Sequence, residues 1–141
     1  MTPDDRYRLQ RFVDAQEPVY EGVLGELRAG SKRTHWMWFV FPQFAGLGRS
    51  ARSAEFAISS LAEAAAYLAH PLLGSRLREC SALMLATRGR TAEAILGRPD
   101  DAKFHSSMTL FAQVPGADPV FAACLEKYFG GALDPHTLSR M

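Results

Sequence analysis

Apolar positions recur at helical spacing along most of the chain. Leu9, Phe12 and Val13 share one face between about Asp5 and Gln16. After Pro18, Tyr20, Val23, Leu24 and Leu27 repeat the pattern until Gly30 closes it. Ser60-Leu61-Ala62-Glu63 has capping-box spacing, and the alanine-rich run to Ala69 continues as helix. Beyond His70-Pro71, Leu73, Leu77, Cys80 and Met84 form a stripe that runs out near Arg88-Gly89. Thr91 caps a short helix that stops at Gly97, and Pro99 opens another that reaches about Gln113. Pro119 to Phe129 and Pro135 to Arg140 complete the set. Pro18, Pro71, Pro99, Pro119 and Pro135 each precede a helical segment, as suits the first helical position, where the missing N–H costs nothing. Asp118 and Asp134 stand as N-caps. Strand signals are confined to His35–Phe41 and Glu55–Ser59, and neither is followed by a hairpin dipeptide. The pattern predicts an all-α fold: a single multihelical domain over residues 1–141, with about seven or eight helices in orthogonal-type packing.

Composition agrees with one core. The 141 residues are 48% apolar and 22% charged, which excludes a disordered chain. A formal net charge of +1 gives no basic footprint, so neither nucleic acid nor a membrane surface is expected as partner. Cys80 and Cys124 lie far apart and outside any C-x-x-C pattern, which argues against a cysteine zinc site and a disulfide scaffold. The polar N-terminus has no apolar stretch of signal-peptide type, and no run reaches the roughly 18 apolar residues of a membrane helix. A cytoplasmic protein with reduced thiols is the simplest expectation. H-E-x-x-H, G-x-S-x-G and any Asp/Glu/His cluster at metal spacing are missing, so no metal and no cofactor is expected.

Two clusters carry candidate chemistry. The first is Ser31-Lys32-Arg33-Thr34-His35-Trp36-Met37-Trp38-Phe39-Val40-Phe41-Pro42-Gln43, which holds both tryptophans. Past His35 it has no polar side as helix or as strand, so it is buried around most of its circumference. Its length leaves helix against strand open, with a short helix ended by Pro42 favoured. Met37, Phe39, Val40 and Phe41 read as core. Lys32, Arg33 and His35 crowd charge against Trp36 and Trp38, a combination that suits stacking on a nucleobase or another planar group. A core histidine with a satisfied ring explains His35 equally well. Gln43 either points its amide into the same space or bonds a turn. In the following loop, Gly46, Gly48, Arg49 and Ser50 offer backbone N–H groups and a cation to a phosphate. A flexible connector is the simpler account, because the third glycine and the lysine of the known phosphate loops are missing.

The second cluster is the polar face of the Pro99 helix, where Asp100, Lys103, Ser106 and Ser107 fall together, beside a core face of Phe104, Met108 and Phe111. A solvated face with one surface ion pair is the plain reading. Against it, Ser-Ser is a poor choice for a helix interior, and only three of the 16 basic residues are lysine. A partly buried Lys103 beside Asp100 can act in acid–base chemistry or hold an anion. His105 points away from this face and reads as a surface or satisfied ring.

The strings S-K-R-T-H-W-M-W-F-V-F-P-Q, G-L-G-R-S-A-R-S-A-E-F-A-I, H-P-L-L-G-S-R-L, D-D-A-K-F-H-S-S-M-T-L-F and the terminal D-P-H-T-L resemble the bacterial family catalogued as domain of unknown function 1810. The resemblance spans nearly the whole chain and implies a single multihelical domain. It places Lys32, His35, Trp36, Trp38, Gln43, Asp100, Lys103, Ser106 and Ser107 at the positions that carry the family pattern. Phe56 departs from it, since the family often has tyrosine there. A remote similarity to the all-helical NADAR family implies action on ADP-ribose-like compounds by N-glycosidic cleavage, but its motifs align to no residue here.

The expectation is a binder or hydrolase of a nucleotide-like or ADP-ribose-derived small molecule, of N-glycosidase type. Asp100 and Lys103 are its candidate catalytic pair, and Lys32, His35, Trp36, Trp38, Gln43, Arg49, Ser106 and Ser107 its candidate ligand contacts. The competing expectation is a protein-interaction or structural module without catalysis. Oligomeric state is not legible. The enzyme reading requires the two clusters to share a cavity.

Overall fold

The computed structural model describes residues 5–141, so the reading of Met1–Asp4 as free of a targeting signal lies outside the described residues. Among those residues the chain forms ten helices and no named strand. They are α1 (Gln10–Gln16), α2 (Tyr20–Arg28), α3 (Met37–Val40), α4 (Ala51–Glu55), α5 (Leu61–Ala69), α6 (Leu73–Ala86), α7 (Ala92–Leu96), α8 (Asp100–Ala112), α9 (Val120–Phe129) and α10 (Pro135–Arg140). The fold is all-α, as the periodicity implies, with more helices than the expected seven or eight.

Side-chain caps account for many of the boundaries. Ser60 accepts from the Glu63 N–H, Thr91 from Ala94, and Asp134 from His136 and Thr137. The capping box at Ser60 is shifted by one residue. Glu63 returns its carboxylate to the N–H and hydroxyl of Ser59 rather than to Ser60. Helix α1 starts at Gln10 rather than near Asp5, because the Asp5 carboxylate accepts from the N–H groups of Leu9 and Gln10 and caps the chain there. Only Pro135 occupies a first helical position. Pro99 and Pro119 are N-cap residues, and Pro18 and Pro71 lie further outside their helices.

Two of the short segments are corrected by the fold. Helix α4 was not legible in the sequence because it buries no residue; Ser50 starts it by accepting from the Ser53 N–H. Glu55–Ser59 is not a strand. Its only ladder contact is a single parallel bridge between Phe44 and Ile58, with Ala45 N–H donating to the Ile58 carbonyl and Ile58 N–H to that of Gln43, each at 2.9 Å. The Gly46–Ser50 stretch runs from that bridge to the Ser50 cap of α4.

Helix α8 is the hub, packing against α3, α5, α7, α9 and α10. Phe104, Met108, Leu110 and Phe111 bury its apolar face, and Phe41 from the aromatic segment meets Phe104 edge-on at 5.0 Å between ring centres. On the other side Phe39 packs on Phe56 and Phe12 on Tyr67, which joins α1, α3 and α5 in the same core. Buried Gln16 donates to the Phe39 carbonyl at 2.7 Å, satisfying a backbone group at the end of α3. Among the described residues no helix is long and apolar enough to cross a membrane.

Candidate functional site

The segment after α2 is folded back by one carboxylate. Glu26 accepts from the N–H groups of Arg33 (2.7 Å) and Thr34 (3.0 Å), from the Thr34 hydroxyl (2.6 Å) and from the Trp36 indole (3.0 Å). Partial burial alone would raise its pKa. The donors outweigh that, first the Thr34 hydroxyl and then the backbone groups, and hold it at about 2. With the backbone so fixed, Lys32 N–H donates to the Ile95 carbonyl at 2.8 Å, and its side chain is carried onto the first turn of α8.

There Lys32 Nζ lies 2.9 Å from Asp100 Oδ2, with the two side chains 6% and 18% exposed. Lys32 also donates to the Thr34 carbonyl and sits 5.1 Å from the Trp36 ring centre. One turn along α8, Lys103 Nζ stands 3.7 Å from Asp100 Oδ1 and 5.3 Å above the Trp38 ring. Two ammonium groups therefore share one carboxylate. Lys32 takes the shorter bond, and the cluster keeps a net positive charge at Lys103.

Lys103 borders a cavity of about 350 Å³. Gln43, Leu47 and Gly48 form one wall, and Ala102, Lys103 and Ser106 of α8 form another. His105, Asp134 and His136 complete its polar lining. A second cavity of about 240 Å³ adjoins it, sharing Gln43 and Gly48, and is lined by Trp38, Phe44 and Phe56. One space thus sets Lys103 and Asp134 in a largely apolar lining, the other is walled by three aromatic rings, and they meet at Gln43 and Gly48.

Asp134 is the one carboxylate on the Lys103 cavity, and its Oδ2 is fully engaged. Thr137 and Ser106 donate to Oδ2 at 2.6 and 2.9 Å, and the N–H groups of His136 and Thr137 point at the same carboxylate. Burial would raise its pKa, but these donors hold it below the ordinary aspartate value. His105 is likewise committed: one ring nitrogen lies 2.7 Å from the Ala132 carbonyl, and the ring stacks on Phe129 at 4.1 Å.

Of the residues singled out in the sequence, Gln43, Lys103 and Ser106 line the larger of the two cavities, and Trp38 and Gln43 the smaller, aromatic one. Arg49 lines a neighbouring cleft. Lys32 and Asp100 lie behind Lys103 and border neither cavity. Trp36 is 1% exposed and borders neither one, and Ser107 is fully buried with a hydroxyl that finds no partner. His35 is exposed and borders neither cavity, so it is not a core histidine. Asp134, His136 and Phe56 were missed. Asp134 was legible only as a cap, and nothing local in the sequence tells that α10 folds against α8. Among the described residues no group of His, Cys, Asp and Glu is arranged to hold a metal ion.

The family model described as Protein of unknown function (DUF1810) matches residues 6–141. The chain belongs to the DUF1810 family. Among solved structures, the chain is similar to the crystal structure of the conserved hypothetical protein Rv1873 from Mycobacterium tuberculosis. The two are 56% identical with a TM-score of 0.94, and the match covers 96% of each chain. A search of the curated proteins finds no match. The likeness to the NADAR family finds no support in these comparisons. DUF1810 membership and the mycobacterial structure supply a fold and no activity, so function rests on the site.

Proposed function

We propose that this DUF1810 protein binds a small anionic, nucleotide-like molecule, with its anionic group at Lys103 and its planar group against Trp38. The observation that carries this reading is the division of charge around Asp100. Lys32 holds that carboxylate at 2.9 Å, so Lys103, at 3.7 Å, keeps a positive charge to offer at a cavity of about 350 Å³. A cavity of that size falls within the range of small-ligand sites. The Gln43 amide, shared by both spaces, supplies the polar contact between the two halves of the ligand.

Binding fits this geometry better than N-glycosidic cleavage. A hydrolase of that type needs a carboxylate facing the ligand, as base, nucleophile or stabiliser of an oxocarbenium-like centre. Asp100 borders neither cavity, and Asp134 is buried and held as a helix cap, with Ser106, Thr137 and backbone donors fixing its carboxylate. Asp100 is therefore read as a positioning residue that sets Lys32 and Lys103, and Lys103 as a ligand contact rather than a base.

The test is calorimetric titration with AMP and with inorganic phosphate. Wild-type protein binds AMP. Lys103→Ala weakens AMP about tenfold or more, the range for loss of one hydrogen bond to a charged group. Trp38→Leu weakens AMP and leaves phosphate unchanged. No heat with AMP at millimolar concentration removes this reading.

A further inference from the structure

A third space lies on the far side of the Gly46–Gly48 turn. It is a cleft of about 490 Å³ lined by Gly46, Leu47, Arg49, His136, Ser139 and Arg140. It shares Leu47 and His136 with the Lys103 cavity, so the two are contiguous. Two of its six lining residues are arginine, one is histidine and none is acidic. No carboxylate among the described residues pairs with Arg49 or Arg140, a state they share with Arg28, Arg33, Arg78, Arg88 and Arg90; what sets these two apart is that both line one cleft.

Arg140 reaches back from α10 to the Gly46 turn. Its guanidinium lies on the backbone of Gly46, where an added Cβ would stand 3.0 Å from Cζ and closer still to Nη1. Gly46 has φ +91°, a conformation that side-chain-bearing residues rarely adopt. The turn therefore needs glycine for its own backbone, and the absence of a Cβ leaves room for the guanidinium of Arg140. Arg49 leaves the same turn three residues later, and Ser139 precedes Arg140 on α10. Two guanidiniums without a carboxylate partner, beside an imidazole, form a donor set for the oxygens of a phosphate, which arginine can grip with paired N–H groups; the Ser139 hydroxyl is spent on the His136 carbonyl at 3.1 Å.

We propose that this cleft is a second anion subsite, and that the ligand is a diphosphate-type molecule reaching from Lys103 across Leu47 and His136 to Arg49 and Arg140. The inference rests on the reading of the Lys103 cavity as an anion site and adds the second group that the ligand carries. Bound in this way, the ligand wraps the Gly46–Gly48 turn, and each phosphate meets its own cations.

The experiment compares AMP with ADP by calorimetry in wild type, Lys103→Ala, Arg49→Ala and Arg140→Ala. Arg49 and Arg140 are exposed, so their removal leaves the fold intact; circular dichroism and the melting temperature check this. The expected result is ADP about tenfold tighter than AMP in wild type, with the preference gone in Arg140→Ala and reduced in Arg49→Ala while AMP affinity holds. Equal affinity for AMP and ADP, unchanged by either arginine variant, overturns the second subsite and leaves the Lys103 site standing. Binding of neither nucleotide overturns the Lys103 reading, and the inference falls with it. Retention of the ADP preference in both arginine variants also overturns it, because the second phosphate is then held elsewhere.

Discussion

Lys32 Nζ sits 2.9 Å from Asp100 Oδ2 and ties the loop after α2 to the first turn of α8. The pair is mostly shielded from water, so its loss is felt twice. Lys32→Met leaves the Asp100 carboxylate partly buried with only Lys103 nearby, and removing one partner of a shielded pair costs more than the pair contributes. A loss of about 2 kcal/mol, below the range for a fully buried pair, is expected in urea denaturation. Lys103 then closes on Asp100, and AMP binding weakens although Lys32 touches no ligand. Unchanged AMP affinity in a folded Lys32→Met protein argues against the division of charge on which the site is built.

Glu26 gives a pH signature. Its carboxylate stands at about 2 against an ordinary value of 4.5, because donors from Thr34, Arg33 and Trp36 favour the charged form. For a depressed acid the stabilisation is full above the ordinary value and drains away as pH falls through the folded one. Stability therefore declines between about pH 4.5 and 2 with a component that belongs to Glu26. In Glu26→Gln that component is absent, and stability at pH 7 drops by about 1 kcal/mol, a figure kept low because the group is partly exposed. Denaturation curves of both proteins across this range give the difference directly. Parallel pH profiles would mean that the four donors do not discriminate carboxylate from amide.

Local signals carried much of this structure, and their limits are physical. Ser60, Thr91 and Asp134 mark helix starts because a cap is a contact between near neighbours in sequence. Met37, Phe39, Val40 and Phe41 read as core because a segment apolar on every side has nowhere else to go. The convergence of the aromatic segment on α8 is a matter of tertiary distance, visible only in the fold through the Lys32–Asp100, Lys103–Trp38 and Phe41–Phe104 contacts. Ser106 and Ser107 looked equivalent on the helix face, yet one bonds Asp134 and the other is buried without a partner. Helix α4 was invisible because it buries nothing. The role of Asp134 beyond capping depends on α10 folding back over α8, a contact that spans 28 residues between Ser106 and Asp134.

The adjacent serines make a paired test. Ser106 Oγ donates to Asp134 at 2.9 Å, so Ser106→Ala removes a donor from a buried carboxylate and costs about 2 kcal/mol. Ser107 Oγ is fully buried and bonds nothing, so Ser107→Ala sheds an unsatisfied polar atom while leaving a gap of one oxygen. Its stability is expected to stay level or rise by up to about 1 kcal/mol. Thermal melts of the two variants against wild type decide it. A large loss for Ser107→Ala would show that its hydroxyl has a partner in solution, most simply a buried water.

Gly74 tests how tightly α5 meets α6. It lies in the first turn of α6, where a Cβ would stand 2.8 Å from the Leu68 carbonyl carbon and closer to its oxygen. In a bare helix, Gly→Ala stabilises by close to 1 kcal/mol, because alanine loses less entropy on folding. Here the obstacle is backbone at the end of α5, which cannot swing aside as a side chain end can. The Arg78 guanidinium also donates to the Leu68 carbonyl at 3.1 Å, so a shift there breaks a second contact. Overpacking therefore outweighs propensity, and Gly74→Ala is expected to lose about 2 kcal/mol or more in urea denaturation. A variant as stable as wild type would mean that α5 and α6 slide apart at little cost, and that their junction is looser than the packing of Tyr67 and Leu73 in the core implies.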